Sequence, residues 1–310
     1  MSFSWTKRGL LLKPGGGIPG LTHASHPVVV SQGGNDFILV FSMRDANKVS
    51  SLYSVSFSVR DGALELTGTP NLALAPGKKG TFDSEGLLGC CAVTVRGRTF
   101  LYYTGWNNLG DGAWLCDTGL AELKPLSGEV HRRFEGPVMS RGIENPLFAA
   151  GTAIKHDRDR FDAWYNRGIG WVENPRGESV CRYGIFHAES DDGVVWSYSG
   201  KQVIPFLDDL EHSFGRPCVL EVDGRYHMWF GARGASGDPQ YKIGYAYSED
   251  KTSWVRRDDL AGVRPTGVEG DFDSDASTYP YVFEHEDRLI MLYNGNFYGA
   301  TGIGYAVAQK

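Results

Sequence analysis

The chain has 310 residues, of which 41% are hydrophobic and 13% aromatic, so it is long and apolar enough to bury a large core. Its formal net charge is −6 and its Lys and Arg residues form no run, which argues against nucleic acid as a partner. No stretch resembles a signal sequence or a membrane span, and the five cysteines lack CxxC spacing. We therefore expect a cytoplasmic protein with reduced, buried cysteines and no membrane partner.

A strand-turn-strand pattern recurs five times along the chain. Five apolar-rich runs with an aromatic residue at their fifth position start at residues 37, 99, 161, 226 and 289, so the spacing is nearly constant. Another strand-like run precedes each of them. A polar turn such as Asp223-Gly-Arg225 separates the two runs, which is typical of a β-hairpin.

A third strand, with small residues that suit close sheet packing, follows each hairpin; Ile243–Ser248 and Ile303–Val307 are clear examples. The fifth unit stops after its third strand. The segment 3–12 resembles the missing fourth strand, because Trp5 stands where Trp196 and Trp254 follow earlier units. Pairing of this segment with the last unit would remove an exposed strand edge.

The sequence thus predicts an all-β, single five-bladed β-propeller over residues 1–310, its last blade closed by the N-terminal strand. The expected blades cover approximately residues 25–82, 83–143, 144–210, 211–275, and 276–310 together with 3–12.

In a propeller the first strand of each blade lines the central channel, so the segments before those strands converge at one mouth. We call them the approach segments: residues 22–27, 82–86, 141–146, 211–217 and 271–280. All five carry ionisable side chains, which favours an active or binding site there. The candidate catalytic residues are His26, Asp83, Glu144, Glu211 and Asp273.

Structural roles remain open for the same residues. Asp83 and Asp273 can form Asx turns, and His23 and His26 can be ordinary hydrogen-bonded loop residues. Arg141 and Arg216 can pair with Glu144 and Glu211 to hold adjacent blades together.

Facing carboxylates with different pKa values are the groups that cleave glycosidic bonds, while arginines hold anionic groups and aromatic rings stack on sugars. A small sugar or sugar-like anion is the expected partner. Arg44 and Asp45 are a candidate ionic clamp, and Trp106 and Trp171 are placed in loops at the mouth. The candidate substrate-binding residues are His23, Arg44, Asp45, Trp106, Arg141, Trp171, His212, Arg216, Asp275, Tyr279 and Tyr298.

A metal centre is a further alternative. His23, His26 and His212 with a carboxylate are potential ligands, and a propeller channel can hold a divalent cation. No pair has diagnostic local spacing, so we assign neither a metal nor a cofactor.

The segments Tyr226–Phe230, Tyr241–Asp250 and Leu292–Ala306 resemble the five-bladed propellers of glycoside hydrolase families 43, 62, 32, 68 and 130. The likeness is closest to glycosidase-like propellers associated with bacterial sugar and surface-polysaccharide biosynthesis. It implies that the general acid corresponds to Glu144 and its tuning carboxylate to Asp83. Glu211, Arg216 and Asp273 match the glycosidase-like group. Where the hydrolases carry Asp-Pro for the base or nucleophile, this chain has His26-Pro27.

Three hypotheses follow. The first is an enzyme that cleaves or transfers a glycosidic or sugar-phosphate bond, with Glu144 or Glu211 as acid, Asp83 or Asp273 as opposing carboxylate, and His26 as base or orienting group. The second is phosphorolysis or metal-assisted chemistry on a specialised metabolite, because a fold does not fix a function. The third is a non-catalytic sugar-binding propeller.

Overall fold

The computed structural model describes residues 3–310, whose regular secondary structure is mostly β-strand. These residues form three open hydrogen-bonded sheets of 4, 13 and 5 strands. Short helical turns lie in the connections at Pro14–Gly17, Ala235–Gly237, Asp258–Leu260 and Asn296–Gly299. Among the described residues, no helix combines the length and apolar character that crossing a membrane requires.

Antiparallel pairing sorts the strands into five successive groups. The first group contains β2 (Thr22–Gly33), β3 (Asp36–Arg44), β4 (Ser50–Arg60), β5 (Ala63–Leu66) and β6 (Asn71–Leu74). The second contains β7 (Leu87–Val95), β8 (Arg98–Gly110), β9 (Ala113–Leu123) and β10 (Val130–Arg132). The third contains β11 (Ala149–Asp157), β12 (Arg160–Glu173), β13 (Ser179–Ser190) and β14 (Ser197–Gln202).

The fourth group contains β15 (Ser213–Phe214), β16 (Cys218–Val222), β17 (Arg225–Arg233), β18 (Lys242–Ser248) and β19 (Trp254–Arg256). The fifth contains β20 (Thr278–His285), β21 (Arg288–Asn294), β22 (Ile303–Gln309) and β1 (Trp5–Leu12). Short parallel bridges, Asp117 to Ala149 and Tyr183 to Ser213, join the second, third and fourth groups into the 13-stranded sheet.

The N-terminal strand belongs to the last group. Strand β1 runs antiparallel to β22, with Trp5 opposite Ala308 and Leu12 opposite Ile303. The backbone edge of β22 is therefore paired, and the buried Leu12 packs into the core formed mainly by the first group.

The core is built from the repeated aromatic position of the second strand in each group. The five side chains at this position are all fully buried: Phe41, Tyr103, Tyr165, Phe230 and Tyr293. The facing third strands carry glycine; a Cβ added at Gly304 would lie 2.1 Å from the Phe272 ring, and one at Gly244 would lie 2.7 Å from the Phe230 ring. These glycines let the rings approach the backbone closely, as the small residues of the third strand indicate.

Candidate binding cleft

A cleft of about 460 Å³ opens where the first strands of the groups begin. Aromatic, small apolar and cationic side chains line it, and none of the lining residues is an aspartate or a glutamate. Those that bear on its chemistry are His26, Arg44, Cys90, Trp106, Trp114, Cys116, Phe148, Asn166, Trp171, Cys181, Tyr183, Arg216, Arg233, Tyr241, Tyr279 and Tyr298.

β-Bulges aim several of these side chains into the cleft. The pairing register shifts between Ser25 and Val28 in β2, and between Thr278 and Tyr281 in β20. Within these bulges His26 has φ 54° and Tyr279 has φ 50°, left-handed values that are uncommon for residues other than glycine. Bulges redirect side chains, and residues held in such backbone conformations concentrate at functional sites.

His26 is buried in the wall of the cleft. Its ring stacks on Tyr279 with the centroids 3.8 Å apart, its Nδ1 lies 3.2 Å from Ser25 Oγ, and its backbone N–H donates to Asn294 Oδ1. Burial, together with the charges of Arg216 and Arg44, holds the pKa of His26 well below its usual value. The imidazole is therefore neutral at pH 7.

Arg216 is committed to the backbone. It is 2% exposed, and its two terminal nitrogens donate to five carbonyl oxygens, those of Pro27, Gly89, Cys90, Tyr279 and Pro280, at 2.9–3.1 Å. It thereby ties the first strands of the first, second and fifth groups to the fourth. Only its Nε, which is buried and has no hydrogen-bond partner among the described residues, is left for a ligand.

Arg44 and Arg233 carry the free positive charge of the cleft. Neither forms an ion pair within residues 3–310. Arg44 Nη1 lies 3.5 Å from His23 Nε2. Arg233 donates to Tyr298 Oη at 2.9 Å and lies over the Tyr241 ring, 4.8 Å from its centroid. Of the predicted ionic clamp, Arg44 lines the cleft, whereas Asp45 lies outside its lining and accepts hydrogen bonds from the backbone N–H groups of Asn47 and Val49, which closes a turn.

A cluster of phenols surrounds Arg233. The hydroxyls of Tyr183 and Tyr241 lie 2.6 Å apart, and burial raises the pKa of both groups and of Tyr279. These phenols remain protonated, so they act as hydrogen-bond donors and do not neutralise the arginines.

The opposite wall is apolar. Trp114 packs on Phe148 with centroids 4.9 Å apart, and Phe148 belongs to a buried cluster with Cys116, Ala150 and Cys181. Trp106 also lines this wall. Trp106 and Trp171 lie within the long strands β8 and β12, not in loops as predicted, because the hairpins β8–β9 and β12–β13 extend along the cleft.

Two of the predicted catalytic carboxylates are structural ion-pair partners. Asp83 is 1% exposed and accepts hydrogen bonds from Arg132 Nε at 2.8 Å and Tyr103 Oη at 3.1 Å. Asp273 is equally buried and accepts bonds from Lys7 Nζ and Tyr293 Oη. Neither residue lines the cleft.

The other two predicted carboxylates also lie outside the cleft. Glu211 is fully buried and forms two 2.7 Å hydrogen bonds with Arg256, so it pairs with that residue and not with Arg216. Glu144 is exposed and is absent from the cleft lining. The structure therefore does not bring the four carboxylates together as a catalytic pair.

The remaining predicted residues have these positions. Tyr279, Tyr298, Trp106 and Trp171 line the cleft, while Arg141 and Asp275 are exposed outside its lining. His23 is half-buried, beside Thr22 and Arg44. His212 is buried against Ser213 Oγ at 2.6 Å, and burial lowers its pKa to about 4.

The three predicted histidine ligands do not form a metal-binding cluster within residues 3–310. The one group of potential ligands that comes together there is Asp162, His187 and Glu189. Lys251 pairs with Asp162 and Arg160 pairs with Glu189, so these carboxylates already have cationic partners.

Several cleft residues were missed by the sequence analysis: Cys90, Trp114, Phe148, Asn166, Tyr183, Arg233 and Tyr241. Three of the predicted residues that do line the cleft share a sequence signal. His26, Arg216 and Tyr279 each stand before a proline at the start of a first strand, and all three line the cleft. The register set by these prolines points to the cleft better than the carboxylates do.

Comparison with known proteins places the fold among glycoside hydrolases. A solved glycoside hydrolase matches with a TM-score of 0.74 and 17% identity, covering 99% of this chain and 92% of that chain. A thermostable family-43 glycoside hydrolase matches with a TM-score of 0.60 and 18% identity, covering 96% of this chain and 91% of that chain. An alpha-L-arabinofuranosidase from Lactobacillus brevis matches with a TM-score of 0.64 and 12% identity, covering 92% of this chain and 90% of that chain. The resemblance to glycoside hydrolase propellers noted from the sequence is confirmed.

Sequence comparison finds close relatives of full length, although no family model matches the chain. The uncharacterized proteins MT1551 and Rv1502 of Mycobacterium tuberculosis, from strains CDC 1551 / Oshkosh and ATCC 25618 / H37Rv, are each 32% identical to it over 310 residues. Each match covers 99% of this chain and the whole of the relative. The chain therefore belongs to the same protein family as MT1551 and Rv1502.

Proposed function

We propose that this chain is a carbohydrate-active protein whose cleft binds an anionic sugar. The observation that carries the proposal is that Arg44 and Arg233, neither of which forms an ion pair among the described residues, lie in a cleft lined by no carboxylate. Guanidinium groups that lack an acidic partner bind carboxylates and phosphates through paired hydrogen bonds. The glycoside hydrolase fold and the tryptophans of the cleft support a sugar as the bearer of that anionic group.

The proposal does not include a two-carboxylate hydrolytic mechanism. Such a mechanism needs two acidic side chains on either side of the scissile bond. Asp83, Glu211 and Asp273 are each held by a cation, and Glu144 lies outside the cleft.

We assign the role of proton acceptor to His26. It is the one histidine of the cleft lining, and its low pKa keeps it unprotonated at neutral pH. The stack on Tyr279 and the contact with Ser25 Oγ fix the orientation of the ring.

A non-catalytic sugar-binding protein is the second candidate, favoured by the lack of carboxylates in the lining. The variant His26→Gln separates the two candidates. A catalytic role predicts that this variant loses turnover of a substrate found by screening anionic aryl glycosides, with and without inorganic phosphate, while it keeps the affinity for the ligand. A pure binding role predicts no turnover in either protein.

We further propose that the five strand groups are the blades of one five-bladed propeller domain. The first strands contact one another in the cyclic order β2, β7, β11, β16, β20 and back to β2, which supports a closed ring. Arg216, which bonds to three of the other first strands near the middle of this ring, supports the same arrangement. The cytoplasmic location remains a prediction.

Binding measurements test the anionic-sugar proposal. We expect glucuronate or glucose 6-phosphate to bind at least tenfold more tightly than glucose in isothermal titration calorimetry. Arg44→Gln and Arg233→Gln should each weaken anion binding at least tenfold, because hydrogen bonds to charged groups contribute roughly 1.5–3 kcal/mol. Arg141→Gln is the matched control and should have no effect. Equal affinity for glucose and both anions, or an equal loss in the Arg141 variant, would show that the proposal is wrong.

A further inference from the structure

The two walls of the cleft differ in charge. All its charged residues and its histidine come from the first and fourth strand groups: His26, Arg44, Arg216 and Arg233. The second and third groups contribute no ionisable side chains other than cysteines and Tyr183. A ligand that fills the cleft therefore meets a cationic wall on one side and an apolar wall on the other.

The side chains of the apolar wall pack on one another. Trp114, Phe148 and Tyr183 contact one another pairwise, with ring centroids 4.9, 5.5 and 6.0 Å apart. Behind them, Cys116 and Cys181 are buried in the same cluster. A preformed surface of this kind binds an apolar group without the entropy loss of ordering side chains.

Besides the indole N–H groups, the side chains of this wall that can still hydrogen-bond to a second sugar ring are Asn166, whose Nδ2 is buried without a partner among the described residues, and Ser179. Thr104 Oγ1 already contacts the Gly151 N–H and Cys90 Sγ, and the Tyr183 hydroxyl is engaged by Tyr241. Tryptophan faces can stack on a sugar ring, but hydroxyls of a second ring placed against phenylalanine and cysteine would lose water without gaining partners, which is unfavourable. An aryl or alkyl group carries no hydroxyl that needs a hydrogen-bond partner.

The cleft volume of about 460 Å³ lies within the range of roughly 300–1,000 Å³ typical of sites for drug-sized ligands. We propose that the ligand is amphipathic: a sugar bearing a carboxylate or phosphate on the cationic wall, joined to an aryl or alkyl aglycone on the apolar wall. This inference rests on the proposed function and adds the chemical class of the aglycone.

A ligand series tests it. The probes are the α and β anomers of methyl glucuronide and phenyl glucuronide, with phenyl glucoside as the neutral control. We expect phenyl glucuronide of at least one anomer to bind at least tenfold more tightly than its methyl counterpart, because each buried methylene-sized group contributes roughly fourfold in affinity.

Two variants test whether the apolar wall is responsible for the tighter binding of phenyl glucuronide. Trp114→Ala should reduce the preference for phenyl over methyl glucuronide to below threefold, because it removes a ring that the phenyl group contacts. Leu109→Ala, on the same hairpin but outside the cleft lining, is the control and should keep the full preference. Cys181→Ser, which places a polar atom in the wall, should also lower the preference for phenyl over methyl glucuronide. It replaces the Trp114 variant as the test if that variant fails to fold.

The outcomes separate the two proposals. Equal affinity of methyl and phenyl glucuronide in the unmodified protein, or a full preference in both Trp114→Ala and Cys181→Ser, would overturn the amphipathic ligand but not the anionic sugar. Phenyl glucoside binding as tightly as phenyl glucuronide would overturn the anionic sugar and this inference with it.

Discussion

The hydroxyl of Tyr293 donates a 2.9 Å hydrogen bond to Asp273, a carboxylate that also accepts one from Lys7 on the N-terminal strand. Acceptor and tyrosine are 20 residues apart, and the same spacing recurs in two other groups, where Tyr103 bonds to Asp83 and Tyr165 to Asn145. The approach segment of each of these groups is thereby fixed to its second strand. Lys7 and Arg132, which lie on fourth strands, extend the connection across the sheet.

We expect Asp83→Asn to destabilise the protein without impairing ligand binding. The change leaves the largely buried Arg132 guanidinium without its carboxylate, which should lower the free energy of unfolding by roughly 2–4 kcal/mol. Urea unfolding and ligand titration measure the two effects. Tyr103→Phe, which removes one hydrogen bond to the same carboxylate, should lower it by about 1 kcal/mol. Lost binding at unchanged stability would instead indicate a role for Asp83 in the site.

The sequence predicts the strands and their repeat well, because hydrophobic runs and turn residues are local signals. The N-terminal strand is also predictable, since the last unit lacks a fourth strand and the segment 3–12 has the right pattern. Its pairing with β22 is observed.

The cleft is predicted less well, because the carboxylates chosen from the approach segments do not line it. The carboxylates Asp83 and Asp273 recur for a structural reason: each holds a buried tyrosine and a cation of its own group. The cleft is lined instead by residues a few positions further along, such as Cys90 and Tyr279, where the first strands bulge. Tyr279 and Tyr298 were predicted, but bulges and partners distant in sequence leave no local pattern, so Tyr183 and Tyr241 beside Arg233 could not be found from the sequence alone.

A pair of leucine substitutions tests how much the N-terminal strand contributes to stability. Leu12 is 3% exposed and packs into the core, whereas Leu10 on the same strand is 40% exposed. Leu12→Ala should lower the free energy of unfolding by roughly 2–4 kcal/mol through lost contacts and a cavity. Leu10→Ala should lower it by less than about 1 kcal/mol. Similar losses in urea unfolding of both variants would show that β1 does not close the last group as described.

Stability should fall as the pH decreases from about 6.5 to about 4. Burial lowers the pKa of both His212 and His227 to about 4, below the ordinary histidine value of about 6.5. In the folded state both stay neutral through this window, whereas in the unfolded state they bind protons. Protonation therefore favours the unfolded state as the pH falls. The contribution of the two neutral histidines to the stability of the folded state is fully present only above pH 6.5.

Two histidine variants check the origin of this pH dependence. His227 is buried and contacts Tyr245 Oη at 2.7 Å, while the side chain of His131 is 64% exposed. Urea unfolding between pH 7 and pH 4.5 should show a shallower loss of stability for His227→Gln and an unchanged loss for His131→Gln. An unchanged slope in the His227 variant would contradict the assignment.

The native thiols should react slowly even at pH 8. All five cysteines are free and buried, and burial raises the pKa of Cys91, Cys116, Cys181 and Cys218, in the case of Cys181 to about 11. Because the thiolate is the reactive form, Ellman's reagent should modify less than one thiol in the native protein during the time in which five react in urea. Cys116 and Cys181 line the cleft, so a bound phenyl glucuronide should slow their reaction with a small uncharged thiosulfonate further. Rapid modification of one native thiol by Ellman's reagent would show that the cleft activates a cysteine. That cysteine would then be a candidate nucleophile beside His26, the proposed base.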